Sequence, residues 1–231
     1  MPKLKISDQE TLKYKTIPLF PGVKMINKPV AAENLKLLKS ILTEYGITFQ
    51  LHAGTLLGAV RDHDFIDHDE DIDLAFLDED RERVLAILPI LEESAFKVCR
   101  FDRRDLISVI RNGEYIDLYF YKPYNDILRS CSGWLVKSEH LEKSIEYSFQ
   151  RDNYLIPEKW EEYLIAEYGN NWNIPIKWNN YNIPRYKRIL FNLKEYSKDY
   201  IPGPLFRVLS RKAEQKLISR SLQRLKKNLN L

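Results

Sequence analysis

The sequence predicts an α+β domain that ends in a basic amphipathic helix. Three observations carry this. Ala31–Tyr45 has apolar residues at Leu35, Leu37, Leu38, Ile41, Leu42 and Tyr45, a spacing that suits a one-faced amphipathic helix. Asp71–Leu77 alternates apolar and other residues like a strand. Asn112-Gly113 separates two apolar runs, Leu106–Arg111 and Glu114–Tyr121, as a hairpin turn does.

In chain order, residues 1–28 read as an irregular leader punctuated by Pro18, Pro21-Gly22 and Pro29. The helix over 31–45 stops at Gly46. Ile47–Ala53 alternates as a half-buried strand, Gly54-Thr55 turns the chain, and Leu56–Arg61 forms a short helix. The strand Asp71–Leu77 follows, then a helix over Asp78–Glu93 with Asp78 as its cap. Phe96–Phe101, Leu106–Arg111 and Glu114–Tyr121 read as strands, with a further hairpin around Ser132-Gly133. Pro157 opens a helix, Glu158–Tyr168, closed by Gly169. Residues 170–204 read as ordered loop, in which Trp172, Trp178, Tyr181 and Tyr186 form either an acceptor groove or an aromatic mini-core. Residues 205–231 carry a leucine stripe and form the basic helix. The expected organisation is therefore a leader (1–28), a main domain (29–204) and the C-terminal helix (205–231).

Charge is segregated along the 231 residues. The formal net charge is only +3, but residues 61–80 hold ten carboxylates against one arginine, a local net of −9. Residues 205–231 hold eight Lys/Arg against one Glu, a net of +7. No apolar run reaches the roughly 18 residues of a membrane span, and the lysine-rich start lacks the apolar core of a signal peptide. Two cysteines, Cys99 and Cys131, make neither a disulfide framework nor a zinc ligand set. The expected location is the cytoplasm, free or at the inner face of the membrane, with the basic helix as a peripheral contact for anionic lipid or as a helix packed on the domain. An acidic centre and the lack of an RNA-binding motif argue against a nucleic-acid partner.

The chemistry concentrates in His52–Leu74. A Gly-Thr turn at a helix start leaves backbone N–H groups and a hydroxyl for a phosphate. Asp71 and Asp73 point the same way from one strand and can share a divalent cation, whose shell substrate phosphates complete. Asp117, on a neighbouring predicted strand, is the natural third carboxylate. Such a set suits metal-assisted displacement at phosphorus.

These residues carry a resemblance. Gly54–Arg61 (GTLLGAVR), Phe65-Ile66 and Asp69-Glu70-Asp71-Ile72-Asp73, followed by Ile156-Pro157, Tyr163-Leu164, Tyr168-Gly169 and Trp172, resemble the LicD/fukutin family within the nucleotidyltransferase (DNA polymerase beta-like) superfamily. The resemblance spans roughly residues 35–175. It implies a nucleotidyltransferase-like mixed β-sheet with packed helices. It also implies Mg²⁺- or Mn²⁺-dependent transfer of a substituted phosphate, phosphocholine or a polyol phosphate, from a CDP-activated alcohol. The acceptor would be a hydroxyl of a cell-surface glycan or its lipid-linked precursor. Carried over by position, Asp71, Asp73 and Asp117 would hold metal, Asp69 would be an outer carboxylate, and Gly54, Thr55, Arg61 and His63 would contact the donor or its phosphates. The chain departs from the family at Asp67-His68, where Pro-Trp is common, and at Asp62-His63-Asp64. The alternative expectation is a nucleotidyltransferase that moves NMP to a small molecule or protein.

Overall fold

The computed structural model describes residues 1–19, 24–175 and 184–229. The expected irregular leader is instead a small antiparallel hairpin, β1 (Lys3–Lys5) with β2 (Thr11–Lys13). Leu4, Ile6, Leu12 and Tyr14 bury one side of it in the main core. The Ile17 N–H then donates to the Cys99 carbonyl, and that of Ile26 to the Asp69 carbonyl. Prolines mark turns here, but period-two burial (Leu4, Ile6) decides the local structure, so this segment belongs to the domain body.

Helix α1 (Lys28–Glu44) begins with Asn27 accepting the Val30 N–H and with proline in its first turn. It buries Leu35, Leu38 and Leu42 on one face. Gly46, at φ +64°, takes the left-handed conformation that ends it. β3 is only Gln50–Leu51, shorter than expected, and α2 starts three residues early, at Ala53–Arg61. β4 (Ile72–Leu77) leads into a 3₁₀ turn, Asp78–Asp80. The expected single helix over 78–93 is divided into α3 (Arg81–Ala86) and α4 (Leu88–Glu93), the second with Pro89 in its first turn. Proline has no N–H to continue the earlier helix, and no side chain caps the 3₁₀ turn.

β5 (Lys97–Asp102), β6 (Leu106–Arg111) and β7 (Glu114–Pro123) follow as expected. Asn112 and Gly113, at φ 52° and 82°, make the two-residue turn between the last two. β8 (Leu128–Cys131) and β9 (Trp134–Lys137) form the further hairpin expected around Ser132-Gly133. A short α5 (Ser138–Glu142) precedes another hairpin, β10 (Ser144–Phe149) with β11 (Asp152–Pro157). Pro157 thus closes a strand rather than opening a helix, and α6 begins at Trp160, running to Tyr168.

The main sheet runs β10-β11-β3-β4-β7-β6-β5, and β8–β9 continues from β7. It is mixed: β4 lies parallel to β7 and β11 parallel to β3, while the other pairs are antiparallel. The protein therefore has the expected α+β, mixed-sheet class. β4 and β7 are central and buried on both faces.

Residues 170–204 are not all loop. α7 spans Arg185–Lys198, and α8 spans Gly203–Leu229. The later turns of α8 pack on the domain: Leu225 is buried with Leu128, Leu135 and Ala166, and Ile218, Leu222 and Leu229 lean on them. Arg224 fixes this contact by pairing with Glu167 and stacking on Trp134, 4.0 Å from the ring centroid. Trp172 packs edge-on against Trp160, and Tyr186 is exposed. Trp178 and Tyr181 lie outside the described residues.

Candidate active site

Strand register gathers the carboxylates. In the parallel pair β4–β7, Asp73 stands directly beside Asp117, so both side chains leave the same face of the sheet. Asp71 precedes Asp73 by two residues and joins that face. One oxygen from each of Asp71, Asp73 and Asp117 lies within 4.8 Å of the others. Asp73 and Asp117 are buried, and Asp71 is half-buried. Asp71 and Asp117 border a cleft of about 460 Å³ lined also by Gly54, His68, Asp69, Arg100, Tyr115, Tyr119 and Tyr168.

Three acids at this separation repel one another. Burial, then the charges of Asp73 and Asp117, pushes the Asp71 carboxyl up to about 10. Asp73 is raised well above the carboxylate range by burial and by Asp69 and Asp117. Burial pushes Asp69 up to about 6. A divalent cation would offset this mutual repulsion, so the donor set fits an ion that prefers oxygen ligands. A second acidic group, Glu139, His140 and Glu162, is already served by cations, since Lys137 pairs with Glu162 and Lys159 with Glu139.

The Gly-Thr turn holds Asp73. The Gly54 N–H donates to Asp73 Oδ2 at 3.1 Å, and the Asp73 N–H donates to Thr55 Oγ1 at 2.9 Å. Thr55 is buried, which directs its hydroxyl to β4 rather than to the cleft. Gly54 has no room for a side chain: a Cβ there would meet Asp69 Oδ2 at 2.6 Å and Asp73 Oδ2 at 3.4 Å. The expected donor contacts Arg61 and His63 do not line this cleft. Arg61 makes a two-point pair with Asp62 at 2.8 and 2.7 Å. His63 has φ 54°, and its Nδ1 lies 3.4 Å from the Tyr147 hydroxyl. His68 lines the cleft in its place.

Sequence reasoning missed Arg100. Its guanidinium donates to Asp117 Oδ2 and to Ser108 Oγ, and Ser108 donates to Asp117 Oδ1. Tyr119 adds a bond to Asp117 Oδ2 at 3.2 Å. A β-bulge explains the placement. Val98 pairs with Val109, but Arg100 pairs with Ser108, which in turn faces Asp117. The one-residue slip at Cys99 turns Arg100 onto the carboxylate face, where strict alternation would have left it with Val98. His52, by contrast, is structural. It sits between the Tyr121 and Tyr163 hydroxyls at 2.8 Å each, and burial lowers its pKa to about 3, so it is neutral.

The profile described as LicD/FKTN/FKRP, nucleotidyltransferase domain, matches residues 46–163. The chain belongs to this family. Its match includes α2, β4 and β7, and with them every carboxylate of the cleft. Among curated relatives, an uncharacterized protein of Rickettsia prowazekii (strain Madrid E) is 30% identical over 112 residues, covering 45% of this chain and 40% of that protein. An uncharacterized protein of Caenorhabditis elegans is 29% identical over 107 residues, 44% of this chain and 28% of that protein. The matches thus span less than half the length of these relatives. Among solved structures, the lincosamide antibiotic adenylyltransferase LnuA with lincomycin bound aligns at TM-score 0.43 and 11% identity, over 69% of this chain and 93% of that one. The solution structure of the antibiotic-resistance factor ANT(2'')-Ia aligns at TM-score 0.47 and 14% identity, over 85% and 97%. Residues 46–163 therefore form a LicD-family nucleotidyltransferase domain.

Proposed function

We propose that this LicD-family protein transfers a substituted phosphate from a CDP-activated alcohol to a hydroxyl of a cell-surface glycan or its lipid-linked precursor. The observation that carries the reading is the register of β4 against β7, which sets Asp73 beside Asp117 and within reach of Asp71.

Asp71, Asp73 and Asp117 would hold Mg²⁺ or Mn²⁺. The ion, when bound, supplies charge neutralisation for the donor diphosphate and the CMP leaving group. The protein contributes position. The Gly54 N–H and the Thr55 hydroxyl fix Asp73 from the side chain and the backbone. Arg100, Ser108 and Tyr119 fix Asp117. Because Asp117 accepts three hydrogen bonds, it is poorly placed to take a proton. Asp69 suits that role better: it lines the same cleft, and its carboxyl, raised to about 6, matches a proton acceptor working near neutrality. His68 and Tyr168 are the candidates for contact with the donor. Preorganised positioning supplies most of the acceleration in phosphoryl transfer.

The test is incubation with Mg²⁺ or Mn²⁺ and a panel of CDP-alcohols (choline, ethanolamine, glycerol, ribitol), with and without cell-envelope glycan. CMP release that depends on the glycan supports the reading. Absence of CMP from every donor, or pyrophosphate release with NMP attached to an acceptor, overturns it.

A further inference from the structure

α7 is amphipathic the wrong way round. Phe191, Glu195 and Lys198, spaced at successive turns, line a cavity against Thr16, Arg100 and Phe101, so this side of the helix faces the domain. The opposite side carries Tyr186, Ile189, Leu190, Leu193 and Tyr196, following i, i+3, i+4, i+7 spacing. These residues face solvent: Ile189 is 59% exposed, Leu190 61% and Leu193 60%. No residue of this 14-residue helix is buried. A helix of this length draws most of its stability from packing an apolar face, and among the described residues nothing buries that face.

Its surroundings specify what covers it. Arg185, Lys187 and Arg188 flank the stripe at its start and Lys194 further on. Residues 185–212 hold eight Lys/Arg against Glu195 and Asp199, a net of +6. Glu195 is already paired with Lys198, and Asp199 with the Tyr14 hydroxyl. The first turns of α8 add Leu205, Val208 and Leu209, each more than half exposed. Aliphatic residues with tyrosines on one face and basic side chains beside them are the composition of a helix that lies in an anionic lipid interface. The elbow between the helices is fixed to the domain, since Arg103 donates to the Asp199 and Ile201 carbonyls at 2.7 and 2.5 Å.

We infer that α7 and the start of α8 dock the protein on an anionic bilayer surface. The cavity beneath α7 shares Leu19, Arg100 and Leu106 with the carboxylate cleft. Docking on α7 therefore brings the cleft close to the lipid headgroups, where a lipid-linked acceptor presents its hydroxyl. This last step rests on the proposed reaction, whereas the docking does not.

The experiment is sedimentation of the full chain with vesicles of equimolar phosphatidylglycerol and phosphatidylcholine, and with vesicles of phosphatidylcholine alone. Binding is expected only to the anionic vesicles and is weakened by salt. Leu190→Asp with Leu193→Asp, and separately Lys187→Glu with Arg188→Glu, should each weaken it about tenfold or more. Both sites are exposed, so circular dichroism should show the domain folded. Asp71→Ala should bind vesicles like the wild type, which separates this inference from the catalytic one. Failure of the wild type to bind anionic vesicles, or unchanged binding by both double variants, overturns it. A concentration-dependent dimer abolished by Leu190→Asp with Leu193→Asp would also overturn it, by giving the face to a second copy of the chain.

Discussion

Three residues of the proposed site make different predictions. Asp73→Asn preserves shape but removes a carboxylate that could hold the metal. Turnover should fall by about three orders of magnitude, while the metal-free protein should melt close to the wild type, since burial, Asp69 and Asp117 already favour the uncharged form of Asp73. A single-turnover assay beside a thermal melt checks both. Arg100→Met leaves the Asp117 carboxylate buried opposite Ser108 and Tyr119 alone. Denaturant titration should show a loss of about 3 kcal/mol, the penalty for an unpaired buried charge. Adding Asp117→Asn should recover most of that stability but none of the activity. Gly54→Ala should cost activity more than stability, because the new Cβ meets the movable Asp69 carboxylate rather than backbone. At this scale Asp71, Asp73 and Asp117 were legible, since alternation and an acidic strand announce them. Arg100 was not, because its face depends on the slip at Cys99, and nothing in a run such as Lys97–Asp102 marks where a bulge falls.

Among the elements, α8 has two different halves. Its later turns are part of the core, with Leu225 at 4% exposure and the Ser221 hydroxyl accepting the Leu135 N–H at 3.2 Å. Leu225→Ala should lower stability by about 2–4 kcal/mol, as for other buried leucines. A change confined to vesicle binding, with no shift in the denaturant midpoint, would contradict this assignment. The leucine stripe was visible in the sequence, but which leucines meet the domain was not, because a stripe marks a face and not its partner. The leader and residues 185–198 were misjudged for a related reason. Prolines and scattered aromatics look like loop, whereas Leu4, Ile6 and Leu12 find the sheet. The β10–β11 hairpin escaped notice because its turn residues, Gln150 and Arg151, carry no Asn-Gly signal although both have positive φ.

The whole molecule carries its acidic cluster as a cost unless a cation is present, and pH exposes that cost. The Asp71 carboxyl is raised from its ordinary value of 3.8 to about 10. Without metal, this group's contribution to stability is intact below pH 3.8 and is lost as pH rises toward 10, because the unfolded chain is ionised there and folding has to take up a proton. Asp69 behaves alike between 3.8 and about 6. A bound divalent ion reverses the trend by favouring the ionised forms. The melting temperature should therefore rise more with Mg²⁺ or Mn²⁺ at pH 8 than at pH 5. At a hundredfold excess over Kd the gain is about 2.7 kcal/mol, or about 5–10 °C for a chain of this size. Scanning fluorimetry across pH, with and without the metal, measures it, and an equal shift at both pH values would refute the metal assignment.

The sequence by itself determined the class of the domain, the central strands and the acids they carry, because hydrophobic period and turn residues are local properties. It also determined that acid and base are kept apart along the chain. The tertiary structure decided which acids meet and which arginine answers them. Arg61 is taken by Asp62, while Arg100 is carried in from a strand two places away. It also decided that the exposed apolar face belongs to α7 as well as to the start of α8. These outcomes depend on strand register, a bulge and helix docking, which join residues far apart in the chain and leave no mark in any local stretch of it.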